Sequence, residues 1–358
     1  RKNEHSGLSA MLFICSCDCL NTGGHMGIKI IKNNKLWMED EAIRQLERIS
    51  QFEDVLDIVG LPDLHPSKVP VGATIKTNHT IYPLFVGNDV GCGMSLYDTN
   101  IKSKKLNVDK IVKKLTDTKI YGEYSIGGGN HFAELQIIDK LYDDTLPINK
   151  KNAYLLIHSG SRRLGEEIYR KYASLNGLKE GSLEFNEYML EHEKAVHYAK
   201  ENRCQIANIF MDLTGLKYRN ELVIDCVHNY IEKRPDGYYH HKGSISSFNE
   251  YAVIAGSRGT YSYLVRCIPQ QETLYSISHG AGRKWARHLC KGRLVNKYKR
   301  EELKTTQLGG KVITNNNALL YEEASEAYKD IDEVIKVLLE YETIEIIARL
   351  RPVVTYKC

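Results

Sequence analysis

Apolar positions run along this chain in short blocks, broken by glycine- and proline-rich turns, and take up a helical period in only a few places. Ile28 to Ile31 predicts a strand, the acidic-capped stretch Glu39 to Gln51 a helix, and Val55 to Val59 a second strand. The segment G60-L-P-D-L-H-P-S-K-V-P-V-G72 predicts a loop, because its prolines rule out a helix; it holds Asp63, His65 and Lys68. Ile81 to Val86 reads as a buried strand that delivers Asp89 and Cys92 at its exit. Asn107 to Leu115 predicts a helix, Tyr121 to Ile126 leads into G127-G-G-N-H-F-A-E134, and the strand from Ala153 ends in His158. Residues 183 to 214 predict one long helix or two short ones, with Met189, Leu190 and Phe210 as core. Leu222 to Tyr230 predicts a strand ending in His228 and Asn229, and 240–247 and 253–262 read as strand and loop pairs. Strands separated by helices, with polar groups at several strand ends, predict a single α+β domain of mixed α/β layers.

Composition narrows this picture. A chain of 358 residues with 42% hydrophobic content can bury a sizeable core. Its 49 basic and 45 acidic residues leave only +4, so charge alone cannot hold nucleic acid and any such contact must be a local patch. No run approaches the roughly 18 apolar residues of a membrane span, so no membrane partner is expected. Nine cysteines, an odd number without a C-x-x-C pair, point to a reducing cytoplasm rather than a disulfide framework. Cys15, Cys17 and Cys19 alternate too tightly for a zinc knuckle. Residues 1–25 look foreign to the rest of the chain, so the expected native start is Met26 and the expected domain 26–358.

The chemistry gathers at the glycine-loosened turns. In V86-G-N-D-V-G-C-G-M94 a carboxylate and a thiol share an otherwise apolar turn. Asp89 and Cys92 can offer a hard oxygen and a soft sulfur to one borderline metal, or they form a structural turn with a buried thiol. Beyond His158, Ser159, Ser161, Arg162 and Arg163 can grip phosphate through forked donors and backbone N–H groups. There is no Walker A loop or G-x-G-x-x-G, and K233-R-P-D-G237 is one residue too long for the lysine-nucleotidyl K-x-D-G pattern. A histidine can instead attack the α-phosphate of a nucleotide, and His279, in S278-H-G-A-G-R283, is the one set among small residues and an arginine.

Read in order, D89-V-G-C-G-M94, G128-G-N-H-F-A-E134, L156-H-S-G-S-R162, V227-H-N-Y230, K242-G-S-I-S, G256-S, S278-H-G-A-G-R283, Y328-K-D-I-D332 and R349-L-R-P-V-V-T-Y-K357 resemble the RtcB family of RNA ligases. The resemblance covers nearly everything from Gly60 onward. It implies two manganese ions bridged by Cys92, with Asp89 and His131 completing one site and His158 and His228 the other, all at strand exits. It implies that GTP guanylylates His279 and lies against Asn130, His131, Phe132, Ala133, Glu134, His228, Asn229, Ala255, Gly256, Ser257, Arg258, Ser262, Gly280, Ala281, Gly282 and Lys357. The reaction implied joins an RNA 2′,3′-cyclic phosphate or 3′-phosphate end to a 5′-hydroxyl through an RNA-3′-pp-5′-G intermediate, with Arg162 or Arg283 steadying the RNA phosphate.

Some positions depart from the family pattern. The segment around Lys68 lacks the glycines of an H-x-G-K-G motif, Arg258 and Ala255 replace a methionine and a proline, and Cys358 stands where glycine is usual. Only 36 residues separate Met94 from His131, where longer relatives carry a basic insertion. The shortening points to a dedicated RNA-repair role. A metal-dependent end-processing phosphodiesterase and a silent RNA-binding module remain as alternatives.

Overall fold

The computed structural model describes residues 27–358 except 117, 121, 174–175 and 217–220. The expectations for residues 1–25, for Met26 and for Cys15, Cys17 and Cys19 therefore lie outside the described residues, as does Tyr121.

In chain order the strands are β1 (Gly27–Ile30), β2 (Val55–His65), β3 (Val71–Thr77), β4 (Thr80–Ile81), β5 (Gly93–Lys102), β6 (Phe132–Leu141), β7 (Asn152–Ser159), β8 (Leu178–Lys179) and β9 (Glu221–Val227). They continue with β10 (Asn229–Arg234), β11 (Gly237–Lys242), β12 (Ser244–Ser246), β13 (Tyr251–Ile254), β14 (Ser262–Cys267), β15 (Ser276–Ser278), β16 (Lys311–Thr314) and β17 (Ile344–Lys357). The helices are α1 (Asp40–Ile49), α2 (Pro83–Val86), α3 (Val108–Thr116), α4 (Arg163–Tyr172), α5 (Leu183–Thr214), α6 (Arg287–Leu294), α7 (Asn317–Glu322) and α8 (Ile331–Glu340). The larger sheet runs β13-β14-β17-β6-β7-β5-β9, with β16 beside β17, and the smaller runs β1-β2-β3-β11-β10. This is the mixed α+β domain that the patterning predicts.

Local physics explains most elements. Ala42, Leu46 and Ile49 fall on one face of α1 and are buried, while Asp40 and Glu41 occupy its positive first turn. The 183–214 period is one continuous helix: the Ser182 hydroxyl caps it by accepting from the Phe185 amide, and Gly215 ends it at φ 67°. Its buried stripe runs through Tyr188, His192, Ala195, Ala199, Asn202 and Ile206. Phe210 is buried as expected, but Leu190 lies on the opposite side of that stripe and is 56% exposed.

Two expectations fail. Ile81 to Val86 is largely buried but only Ile81 of it is strand, at the end of β4, because Pro83 occupies the first turn of α2, where its fixed φ and missing N–H suit a helix start. The Gly60–Gly72 segment is not all loop, since β2 continues to His65. A register irregularity between Gly60 and His65 takes Pro62 out of the ladder and lets the strand run on.

The expectation of ligands at strand exits is half right. β5 is antiparallel to both β7 and β9, so Gly93 pairs with Ser159 and with Val227. β6 is antiparallel to β7, and Phe132 pairs with His158. Cys92 and His131 therefore sit at strand starts, His158 and His228 at strand ends, and antiparallel pairing brings starts and ends to one sheet edge. His228 is also the single residue between β9 of the larger sheet and β10 of the smaller. Among the described residues, no helix is long and apolar enough to cross a membrane.

Candidate active site

Five side chains meet at this sheet edge. The Cys92 Sγ lies 3.3 Å from His131 Nε2 and 3.3 Å from His158 Nε2. His158 Nε2 lies 3.3 Å from His228 Nε2, and His131 Nε2 lies 2.9 Å from Asp89 Oδ2. They form two overlapping groups that share Cys92, one with His158 and His228 and one with Asp89 and His131, and in each group the donor atoms lie within 4.8 Å of one another.

The backbone fixes this arrangement. The His228 amide donates to Cys92 O at 2.8 Å, the Gly91 amide donates to Asn229 O at 2.8 Å, and Asn229 Nδ2 donates to Asp89 O at 3.3 Å. Behind the cluster, the fully buried Arg203 of α5 forks onto Asp225 and donates through Nη1 to Gly91 O at 2.9 Å and Ser159 O at 3.0 Å. Its neighbour Asn202 donates to Ser159 Oγ and Gly160 O, both at 3.0 Å.

The donor set fits divalent first-row metal ions. Burial, aided by neighbouring imidazoles, pushes His158 and His228 well below the usual histidine range, so both are neutral ligands in waiting. Two neutral ring nitrogens facing each other at 3.3 Å call for a cation or a proton between them. Burial and the Asp89 carboxylate push the Cys92 thiol up, so a thiolate there needs a cation to hold it. Burial works against ionisation of Asp89 as well, yet the His131 and Arg162 side chains hold its carboxyl below the usual range. Imidazole, thiolate and a single carboxylate suit borderline metals better than calcium or magnesium.

His279 follows β15 and stands beside the cluster, its ring centroid 4.7 Å from that of His228. Its Nδ1 lies 2.7 Å from Oδ2 of the fully buried Asp63, and its backbone amide lies 3.3 Å from the same oxygen. Burial opposes an ionised Asp63, but the contact with His279 holds the carboxyl below its usual range. Lys329 donates to Pro62 O at 2.9 Å and Leu64 O at 2.7 Å, clamping the backbone on both sides of Asp63. Gly282, at φ 69°, passes so close to Asp63 O that a Cβ would collide with it. With Nδ1 so held, Nε2 is the nitrogen left for chemistry.

Both groups open into a cavity of about 790 Å³. Asn130, His131, Phe132, Glu134, His228, Asn229, Ala255, Gly256, Ser257, Arg258, Gly280, Ala281, Gly282 and Lys357 also line it. Ala133 and Ser262 are buried behind it; the Ser262 hydroxyl accepts from the Gly256 amide. Arg162 reaches the cluster, with Nη1 2.9 Å from His131 Nδ1, whereas Arg283 is tied into the wall by Glu323 at 3.0 Å and Glu322 O at 2.7 Å. Arg258 likewise spends its donors on Leu319 O and Leu320 O, and Lys68 is exposed next to Ser67 of the lining. Burial raises the Glu134 carboxyl to about 7; it accepts from Gln136 Nε2 at 2.6 Å and from the Thr355 hydroxyl.

Asp63 stands out in the sequence on the Gly60–Gly72 segment, but its pairing with His279 does not, nor do Arg203, Asn202 and Glu323. Asp63 carried a signal, an acidic residue between two prolines and beside His65. The α5 pair carried none beyond being polar on a buried stripe.

Fold and site together define an α+β protein with two donor groups sharing Cys92 beside a carboxylate-held histidine in one cavity. The family model described as tRNA-splicing ligase RtcB matches residues 45–125 and 122–358. RNA-splicing ligase RtcB2 of Escherichia coli is 39% identical over 91% of this chain and 94% of its own length. tRNA-splicing ligase RtcB of Nanoarchaeum equitans is 25% identical over 92% of this chain and 95% of its own. The chain belongs to the RtcB family.

Proposed function

We propose that this protein is a GTP-dependent RNA ligase that joins a 2′,3′-cyclic phosphate or 3′-phosphate end to a 5′-hydroxyl end, in RNA repair. The observation that carries the reading is His279, held through Nδ1 by Asp63 at 2.7 Å and set with its ring 4.7 Å from His228, a member of the donor cluster. Membership of a family whose relatives are named RNA-splicing ligases supports it.

In this reading His279 Nε2 attacks the α-phosphorus of GTP and pyrophosphate leaves, giving a phosphoramidate. Asp63 orients the ring and offsets the positive charge that develops on it. A 3′-phosphate oxygen of RNA then attacks that phosphorus, the N–P bond breaks, and His279 is regenerated. The 5′-hydroxyl finally attacks the RNA 3′-phosphorus and GMP departs. A cyclic end is first opened by water to the 3′-phosphate. Asp89, Cys92 and His131 would hold one manganese ion, and Cys92, His158 and His228 the other; when bound they supply Lewis-acid stabilisation of crowded phosphate charge. Glu134 and Lys357, on the paired strands β6 and β17, line the cavity and would meet the nucleotide there.

The test is incubation with α-labelled GTP and manganese. An acid-labile, alkali-stable protein adduct that disappears in His279→Ala is expected. An adduct that survives the substitution, or no adduct at all, overturns the assignment. Label that passes to an RNA 3′-phosphate without ligation would favour the end-processing reading.

A further inference from the structure

A strongly basic stretch of the chain lies at the mouth of this cavity. Residues 283–304 carry nine lysines and arginines (283, 284, 287, 291, 293, 297, 299, 300, 304) against Glu301 and Glu302, a net of +7. The whole chain carries +4, so everything else sums to +4 − 7 = −3. This segment thus carries more net positive charge than the whole chain, and Lys284, Arg287 and Arg293 of it line the cavity.

Much of this charge is free. Arg283, Arg287, Lys297 and Lys304 have carboxylate partners, but Lys284, Lys291, Arg293, Lys299 and Arg300 have none among the described residues and are all exposed. Clustering five unpaired cations on one segment costs self-repulsion that an anionic partner would relieve.

Aromatic rings are interleaved with the charge. The only two tryptophans in the chain, Trp37 and Trp285, both line the cavity although they come from distant parts of the sequence. Trp285 lies under the Arg293 guanidinium at 4.9 Å and Tyr298 under Lys297 at 4.9 Å. Trp37 is held outward: its neighbours Leu36 and Met38 are buried, Asn33 Oδ1 pins the preceding turn by accepting from the Lys35 and Leu36 amides, and Trp37 itself is 47% exposed. A large indole left in solvent at a polar cavity mouth is poor for stability and good for stacking. Basic groups that track phosphates, with flat rings beside them, are what single-stranded RNA binds, whereas an acidic peptide would leave the rings unused.

We propose that the 283–304 segment and Trp37 form the dock for the single-stranded RNA that leads its reacting end into the cavity, Lys291, Arg293 and Arg300 meeting backbone phosphates and Trp37 stacking on a base. This rests on the RNA-ligase reading above and names the surface that holds the substrate.

Binding of a fluorescent single-stranded RNA bearing a 3′-phosphate to the full chain, without GTP, tests it across a salt series. Lys291→Ala/Arg293→Ala/Arg300→Ala should weaken binding about tenfold or more and lower the salt slope by about 2, at about 0.7 per lost phosphate contact. Trp37→Ala should weaken it about tenfold with the slope unchanged, and Trp37→Phe should restore most of the loss. As a control, Lys104→Ala/Lys110→Ala/Lys113→Ala removes three exposed lysines in and just before α3, away from the cavity, and should leave affinity nearly intact. An equal loss in that control, no loss in the first triple variant, or competition by poly-glutamate as effective as by RNA would overturn the dock. Self-labelling of the wild type with GTP is read alongside. Its absence would count against the ligase reading, while the affinity comparison would still decide the dock.

Discussion

The site turns on single atoms held by distant partners. Asp63 Oδ2 reaches His279 Nδ1 across 216 residues of chain, so no local motif could announce the pair. The glycine-loosened turns at Cys92 and His131 were legible because backbone freedom and metal-binding side chains occur together within a few residues. Asp63→Asn keeps the shape but removes the charge that sets the ring's tautomer. Self-labelling with GTP should fall by at least about a hundredfold while the fold, read by circular dichroism, is retained. Glu134 gives a prediction in pH. Its carboxyl rises from 4.5 to about 7 on folding, so the folded state keeps a proton that the unfolded chain gives up between those values. The stability this group contributes is full below about pH 4.5 and is lost as pH rises through about 7, by about 3 kcal/mol. In denaturant titrations without GTP, Glu134→Gln should flatten that part of the pH profile; an unchanged slope would refute the cause.

At the scale of elements, α5 does more than cover the sheet. Its adjacent residues Asn202 and Arg203 hold Ser159 and Gly160 at the end of β7 and Gly91 beside Cys92, so one helix sets the spacing of two segments of the donor cluster. Arg203→Leu removes the guanidinium from the Gly91 and Ser159 carbonyls and from Asp225, which keeps only the Ser95 hydroxyl. Denaturant unfolding should show a loss of about 3–5 kcal/mol, and manganese binding followed by calorimetry should weaken together with it. Arg203→Lys should recover part of each; normal metal affinity in the leucine variant would show that the helix does not position the ligands. The periodicity of α5 was readable from its apolar positions, but its polar members were not, because a buried arginine becomes intelligible only once its acceptors are in place. The Ile81 to Val86 run misled for a related reason: apolarity marks burial, and Pro83 rather than the apolar pattern decided between strand and helix.

For the molecule as a whole, the donor cluster spans Asp89 to His228 and exists only where β5, β6, β7 and β9 lie side by side. The unfolded chain has no such site, so metal binding must add to global stability. At manganese a hundredfold above its dissociation constant the gain is about 2.7 kcal/mol for each site, and chelation should lower the unfolding midpoint correspondingly. A midpoint indifferent to chelator would show that the cluster takes no ion. The α+β class was legible as a whole, but strand order was not, since pairing between β5 and β9 depends on contacts more than a hundred residues apart.

Sheet order also bears on how the protein is made. β17, from the far end of the chain, lies between β14 and β6. Until Ile344–Lys357 leaves the ribosome, this sheet can exist only as two pieces. β6, β7, β5 and β9 carry the donor cluster, while β13 and β14 carry, through the Ala255–Gly280 bridge, the loop of His279. A nascent chain can therefore own the parts of the site without owning the site, and β17, made after both pieces, is the strand that joins the one carrying the donor cluster to the one bridged to the His279 loop.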